Sequence, residues 1–300
     1  MAITITEAER LTYQDGFFAN VEDRGGALWP LFPKTEVDGK MKRMDFIDII
    51  DGVQAANTRF TPIVGVNPLH TNRWLATQVN YQAVHVDPKD VHRIIMDPKD
   101  QYMQKLAGAF TRKREDIVIA AMNAAVTSGE TGGSTVAFDT VNQLISAGGT
   151  NLTLDKLREA QYILASRAFV DQNMGDTLYF VYSPKQRESL LQISELINSD
   201  FTAHKALTDG KIASFMGFTF VMSHRLIAGD GLGIGVSTER QCYAFAADAM
   251  MVGEGLSRIV DVTQREDLVK MPAQLYVQED VGAVRMHEEM IVQVNCDETA

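Results

Sequence analysis

The sequence predicts a mixed α+β fold, on three observations. One long helix is predicted at 97–127, where apolar residues recur at helical spacing. Residues 34–86 alternate apolar and polar side chains between turn-forming residues, and residues 227–300 return to strand-like patterns. The composition of 45% hydrophobic and 22% charged residues is that of a folded protein.

Charge and cysteine usage narrow the class of protein. A net charge of −11 argues against a protein that binds nucleic acid by neutralising phosphates. Cys242 and Cys296 have no metal-binding or redox spacing, which favours reduced thiols. The first residues lack the apolar core of a signal peptide, and no apolar run approaches the ~20 residues that span a bilayer. We therefore expect a cytoplasmic protein with no membrane contact.

The N-terminal third predicts an arm followed by ribbons. Residues 1–33 are rich in glycine and proline, which indicates an extended arm that packs on another surface. Residues 34–47 contain Gly39, where a turn fits. The segments 61–66 and 73–84 predict a long hairpin. Because two-stranded ribbons are marginally stable alone, this hairpin should lie on something, such as a neighbouring subunit.

The helix at 97–127 is the most strongly marked element. Asp97 suits the N-cap, Pro98 suits the first helical position, and Ser128-Gly129 ends the pattern. Such a helix is roughly 40 Å long, more than twice the length of an average helix of about 11–12 residues. After it we predict a flexible loop at 129–135, a strand at 135–138 and a short helix at 139–145.

The stretch 152–226 carries the clearest local signals. Thr153 should cap a helix, and Leu178–Tyr182 is apolar on both faces, so it predicts a covered central strand. Ser183 and Gln186 form a capping-box pattern, and 215–221 predicts a tight turn into a strand. The later predicted strands are Gln241–Ala246, Ser257–Val262, Ala273–Val277, Val281–Met286 and Ile291–Asn295.

No stretch carries a recognisable catalytic, cofactor or metal constellation. Gly229–Gly235 reads G-x-G-x-G-x-G with a strand-like segment after it, so a surface loop is favoured over a dinucleotide loop. Residues 129–135 lack the lysine of a phosphate-binding loop, and no serine lies in a G-x-S-x-G elbow. None of the six histidines has the spacing of metal ligands. This inventory shifts the expectation from an enzyme towards a structural or binding protein.

Several segments, in this order and spacing, resemble a known family. These are Leu152–Ala160, a strand ending Tyr182-Ser183-Pro184, a short leucine-rich helix, and Ala206–Phe218 leading to Val221-Met-Ser223. Together they resemble the A-domain of tailed-bacteriophage major capsid proteins of the Hong Kong 97-type fold. Upstream, Arg73–Asp90 and the helix from Asp97 resemble the end of that family's extended loop and its spine helix.

The resemblance implies a domain plan and a function. The implied parts are an N-terminal arm at 1–33, an extended β-hairpin E-loop at 34–86, a P-domain at 87–152 with spine helix 97–127, an A-domain at 153–250, and a return to the P-domain sheet at 251–300. The implied function is self-assembly, as hexamers and pentamers, into the icosahedral shell that encloses a phage genome. The implied location is the virion capsid, assembled in the host cytoplasm.

The resemblance also implies partners and leaves alternatives. Expected partners are copies of the chain, a portal protein, a separate scaffolding protein, a decoration protein, and packaged double-stranded DNA without sequence-specific contacts. No cross-linking triad is found in the sequence, so a non-covalent shell and no enzymatic activity are expected. Two alternatives are an encapsulin-like nanocompartment shell and a cytoplasmic α/β enzyme that binds a nucleotide near Gly229–Gly235.

Overall fold

The fold comes from a computed structural model. It describes residues 26–47, 53, 65, 67–86, 98–167, 177–192, 207–208, 211–212, 214–226, 238–255, 258–269 and 271–299. Within these ranges the α-helices are α1 (Pro98–Asn123), α2 (Leu154–Arg167) and α3 (Pro184–Leu190). The mixed α+β class predicted from the sequence is confirmed.

Seventeen strands lie in the part of the chain that the structure describes. They are β1 (Lys34–Glu36), β2 (Met41–Ile47), β3 (His70–Ala76), β4 (Gln78–Val86), β5 (Val126–Ser128), β6 (Ser134–Val136), β7 (Leu144–Ile145), β8 (Leu178–Tyr182), β9 (Leu207–Thr208), β10 (Lys211–Ile212), β11 (Ser214–Phe215), β12 (Phe218–Met222), β13 (Glu239–Ala246), β14 (Met250–Glu254), β15 (Ile259–Gln264), β16 (Ala273–Arg285) and β17 (Ile291–Asp297). Two larger sheets and three two-stranded ribbons result.

The first large sheet has six strands in the order β11-β12-β8-β13-β17-β7. The strand predicted to be central, β8, is confirmed: β12 runs parallel on one side and β13 antiparallel on the other. Phe180 and Val181 are completely buried, as are the middle of β13 and most of β17. This sheet and the helix α2 hold the main hydrophobic core.

The predicted helix caps and the predicted tight turn around this sheet are confirmed. The Lys156 amide donates to Thr153 Oγ1 at 3.4 Å, the predicted cap of α2. The Ser183 amide donates to Gln186 Oε1 at 3.1 Å, and the Ser183 hydroxyl bonds the same oxygen at the start of α3. The tight turn between β11 and β12 places Met216 and Gly217 at positive φ, the geometry of a two-residue hairpin turn.

The second large sheet is organised on β16. One edge of β16 pairs first with β15 and then with β14, and the other edge pairs with β4. β1 lies parallel to β14. The two strands predicted at 273–277 and 281–286 are therefore one continuous strand. The charged pair Glu279 and Asp280 does not interrupt it: Arg114 donates to the Glu279 carboxylate, and the Thr77 hydroxyl donates to Asp280 Oδ2.

The long helix is shorter than predicted at its C-terminal end. It spans Pro98–Asn123 because Val126–Ser128 pair with β6 as β5. The buried Arg285 of β16 caps this end: its Nη1 donates to the carbonyls of Met122 and Ala124, both at 2.9 Å. A cation here complements the negative end of the helix dipole.

The ribbon at 34–86 has different pairing from the prediction. β2 pairs antiparallel with β3, in register from Met41 opposite Ala76 to Ile47 opposite His70. The single strand predicted at 73–84 instead breaks at Thr77 into β3 and β4, and β4 joins the body sheet. Most of the predicted partner strand, 61–66, lies outside the described residues.

Residues 26–33, the described part of the predicted arm, pack on their own subunit: Leu28, Trp29 and Phe32 are buried in the main core. Two further predictions change. The short helix predicted at 139–145 is a turn followed by β7: Asp139 Oδ1 accepts from two following amides, and β7 joins β17. The loop predicted as flexible at 129–135 is the end of the β5–β6 ribbon and contacts β3.

Candidate assembly site

The β2–β3 hairpin extends from the second sheet as a two-stranded ribbon. On β2 every second side chain is exposed, and these include Met41 and Ile47, which are 55% and 60% exposed. An apolar side chain so exposed on an isolated ribbon leaves favourable burial unused. The hairpin therefore offers a surface that another chain can cover.

The root of the hairpin is fixed in a small apolar cluster. Leu75 of β3 is completely buried, and it packs with Val37, Val126, Val284 and Met286. These residues come from segments far apart in the sequence, so the hairpin is tied to several elements of the body. We call this cluster the socket.

Two hydrogen bonds tie β3 to the ribbon that follows α1. The Gly129 amide donates to Asn72 Oδ1 at 2.7 Å, and Trp74 Nε1 donates to the Gly129 carbonyl at 2.8 Å. Gly129 has φ of +92° and can take this turn without strain because it lacks a Cβ. The far end of the long helix and the hairpin root are thus held together.

An aromatic and charged group lies beside the socket. The Phe46 ring meets the His287 ring edge-on at 5.2 Å, and the Arg73 guanidinium lies 5.5 Å from the centre of the Phe46 ring. Burial lowers the pKa of His287, and the nearby Arg73 cation lowers it further, against the opposing charges of Asp248 and Glu289. Neutral His287 is therefore the favoured form at this contact.

The second sheet presents a further exposed strand. All six residues of β15 are exposed, and Ile259, Val260 and Val262 are about half exposed. In the described ranges β15 pairs only with β16, so its other edge is open. On β4, Tyr81 is 70% exposed and stacks on Tyr276. Exposed apolar side chains on an open sheet edge are typical of an interaction surface.

A cleft of about 850 Å³ lies where α1, β1, β4 and β16 meet. Its buried acid is Glu279, which accepts from Arg114 at 2.8 Å and lies 3.6 Å from Arg258. Arg114 also covers the Trp29 ring at 5.2 Å, and Trp29 Nε1 donates to Glu254 at 3.1 Å. These charges are paired with one another, so the cleft is a structural junction rather than a ligand site.

The residues weighed for chemistry do not form a site in the described structure. Cys242 and Cys296 are free, buried thiols on neighbouring strands. In the described ranges, no three His, Cys, Asp or Glu side chains are placed to hold a metal ion. The glycine-rich segment Gly229–Gly235 lies outside the described residues, and so do His92 and His204. No helix in the described ranges combines the length and the apolar composition needed to cross a membrane.

Comparison with known families decides the identity of the fold. The sequence profile described as phage capsid protein matches residues 5–298, nearly the whole chain. The chain belongs to the phage capsid protein family. Membership confirms the predicted resemblance and makes the chain a structural protein of the capsid shell that associates with copies of itself. A search of curated protein sequences finds no match.

Solved structures agree with the family. The capsid of cyanophage Pam1 is 13% identical, with a TM-score of 0.71 over 99% of both chains. The capsid of cyanophage P-SCSP1u is 14% identical, with a TM-score of 0.70 over 93% of this chain and 90% of that one. The capsid of a native GTA particle is 11% identical, with a TM-score of 0.67 over 95% and 94%. At such identities the likeness shows the fold, which is the Hong Kong 97-type capsid fold.

Sequence reasoning missed the residues that fix the hairpin of this capsid protein. Trp74 and Leu75 read as ordinary residues of the predicted strand 73–84, and Gly282 lay inside the predicted strand Val281–Met286. Asn72 and Gly253 fell outside the predicted strands. A signal was present: glycine inside a strand often marks a place where another backbone approaches closely. The signal does not name the approaching segment, which is why the socket became visible only in the structure.

Proposed function

We propose that this chain assembles, as hexamers and pentamers, into the icosahedral shell that encloses a phage genome. The observation that carries the proposal is the β2–β3 hairpin. Its root is fixed in the socket, and it exposes apolar side chains that the described part of its own subunit does not cover. Family membership supports the shell role. Many weak symmetric contacts of this kind are sufficient for a stable closed assembly.

The proposal includes the domain plan implied by the sequence. The E-loop is residues 34–86, with β2 and β3 as its ribbon, α1 is the spine helix of the P-domain, and residues 153–250 are the A-domain. Assembly takes place in the host cytoplasm. The further partners are a portal protein, a separate scaffolding protein and a decoration protein. The net charge of −11 supports packaged DNA without specific contacts, because it limits adhesion to phosphates.

The test shortens the E-loop: it removes residues 48–69 and keeps β2, β3 and their root. Because Ile47 pairs with His70, residues 48–69 can be replaced by Asn-Gly as a two-residue turn. We expect the shortened chain to keep its unfolding temperature as a subunit and to lose shell formation in sedimentation and negative-stain microscopy. The parent chain, expressed in parallel, should form shells.

Two outcomes would contradict the proposal. If the parent chain stays a monomer, even with lysate from an infected host, the shell role fails. If the shortened chain assembles like the parent, residues 48–69 do not contact a neighbouring subunit, and the E-loop part of the proposal fails. Shells from the native source that contain an enzyme cargo rather than DNA would identify the nanocompartment alternative.

A further inference from the structure

Two glycines of the second sheet lie against the end of β3 and its junction with β4. A Cβ at Gly282 would lie 2.1 Å from the Ala76 carbonyl oxygen and 3.1 Å from the Thr77 Cα. A Cβ at Gly253 would lie 2.7 Å from Leu75 Cδ2 and 3.0 Å from a Val37 methyl. Neither glycine has a positive φ, so both are needed for space and not for backbone conformation.

The two crossings differ in what the added carbon would meet. At Gly282 the obstacle is backbone, which cannot rotate away, so the chain from β3 to β4 would have to shift. At Gly253 the obstacle is mainly the end of the Leu75 side chain, which is itself completely buried in the socket. A methyl group at Gly282 is therefore the larger disturbance of the two.

Polar contacts hold the crossing in place on both sides. The Thr77 amide donates to the Lys40 carbonyl at 3.4 Å, and the Thr77 hydroxyl donates to Asp280 Oδ2 at 3.1 Å. On the opposite side of Asp280, a Cβ at Gly255 would lie only 2.2 Å from the same oxygen. The junction of β3 and β4 at Thr77 therefore fits closely against the second sheet.

We propose that Gly253 and Gly282 are positioning residues that set the direction in which the β2–β3 hairpin leaves the body. This inference rests on the proposed function, because the direction matters only if the hairpin reaches another subunit. Each strand of seven residues is about 23 Å long. A shift at the root is carried along that length, so a small change at the socket displaces the whole contact surface.

The experiment substitutes each glycine by alanine and measures assembly and stability separately. Gly39→Ala is the matched control, since Gly39 lies in the nearby turn between β1 and β2 and a Cβ there meets nothing within 4 Å. We expect Gly282→Ala to lose shell formation, Gly253→Ala to reduce shell yield, and Gly39→Ala to assemble like the parent. Sedimentation of shells and the unfolding temperature of the unassembled subunit are the two readouts.

A direct readout of direction uses spin labels. Cysteines at Ile47 on the hairpin and Val141 on the body are exposed positions, while both native cysteines are buried and should not react in the folded subunit. We expect the label-to-label distance to shift in Gly282→Ala, to shift by less in Gly253→Ala, and to stay unchanged in Gly39→Ala. A loss of stability with an unchanged distance would show a merely structural role and overturn the inference.

A rescue variant keeps the test decisive if Gly282→Ala does not fold. Leu75→Val removes the Cδ2 atom that a Cβ at Gly253 would meet. Combined with Gly253→Ala, it should restore the distance and the shell yield that Gly253→Ala alone loses. The inference is overturned if the double variant shows no rescue. It is also overturned if Gly253→Ala, and Gly282→Ala where it folds, keep the shell yield and the label-to-label distance of the parent. If the parent forms no shells, the proposed function fails. The distance measurements then test on their own whether Gly253 and Gly282 set the direction of the hairpin.

Discussion

The two large sheets bury their strands to very different extents. In the six-stranded sheet, β8, β13 and β17 are buried over most of their length, and their side chains fill one continuous core. In the second sheet, β15 is exposed at every residue and β4 at most of its first half. In the described ranges the central strands of the first sheet are covered by their own subunit, whereas the second sheet and its hairpin leave apolar surface uncovered.

This difference separates stability from assembly. The six-stranded sheet removes most of its apolar area from water, which is the main stabilising term in folding. The exposed strands contribute less to the subunit and keep their apolar area available for a neighbouring copy. Substitutions in the first region should therefore change unfolding, and substitutions in the second should change association.

The largest expected effect is on the first region. Phe180 is completely buried in β8, and its ring contacts the rings of Phe218 at 5.9 Å and Phe220 at 5.6 Å. Phe180→Ala leaves a cavity among these rings and should lower the free energy of unfolding by about 3–5 kcal/mol. Urea denaturation of the unassembled subunit measures the change.

The contrast is Tyr81→Ala on β4, which removes a ring that is 70% exposed. A surface change of this kind should alter the free energy of unfolding by no more than about 0.5 kcal/mol. Equal losses in Phe180→Ala and Tyr81→Ala would contradict the division between the two sheets.

A second, smaller effect concerns the charged junction of the second sheet. Glu279 is buried between Arg114 and Arg258, so Glu279→Gln keeps the shape but removes the charge that both guanidinium groups face. Hydrogen bonds to charged groups contribute about 1.5–3 kcal/mol, and we expect a loss of unfolding free energy in that range.

The exposed pair of Arg43 and Asp45 on β2 supplies the control for this charge removal. Asp45→Asn should cost less than about 1 kcal/mol, because exposed ion pairs contribute little. A larger loss in Asp45→Asn than in Glu279→Gln would show that burial does not decide the strength of these pairs.

A third substitution should leave stability unchanged while affecting assembly. Val260 and Val262 of β15 are about half exposed, and threonine keeps their branched shape. The double variant Val260→Thr with Val262→Thr should unfold within about 0.5 kcal/mol of the parent but give fewer shells by sedimentation. Parent-like shell yield would remove β15 from the assembly surface.

Local signals explain which parts of the fold were predictable. The covered strand β8, the capping box at Ser183 and the turn at Met216 and Gly217 were each predicted correctly. The capping box and the turn involve residues within a few positions of one another, and β8 carries its signal in its own unbroken apolar run.

Contacts between distant residues explain the rest. Arg285 caps α1 from more than 160 residues away in the sequence. The buried Trp29 donates its indole N–H to Glu254, which lies 225 residues away. Neither residue has a neighbour in sequence that reveals its partner. The assembly site shares this property, because the socket around Leu75 joins strands from four parts of the chain.

The last prediction concerns protonation of His287 at the hairpin root. At neutral pH this protonation should not change the free energy of unfolding. Burial first, and then the Arg73 cation, lower the pKa of His287 below its ordinary value of 6.5. The folded subunit therefore binds this proton less readily than the unfolded chain does. As pH falls below 6.5, the unfolded state takes up the proton first, so the contribution of His287 to stability is complete above pH 6.5 and falls as the pH passes from there towards the lowered value.

His287→Gln removes the titrating group while keeping a polar side chain of similar reach. We expect the parent and this variant to show the same pH dependence above 6.5 and to diverge below it, with the parent losing more unfolding free energy. The carboxylates of Asp248 and Glu289, which face His287 from the neighbouring turns, remain in both proteins and cancel in the comparison. Because Phe46 of the hairpin contacts the His287 ring, the same acid range should loosen the hairpin, which faster hydrogen exchange of the β3 amides would report. Parallel curves for the two proteins down to pH 5 would mean that the ring contact, and not the charge, is what His287 contributes.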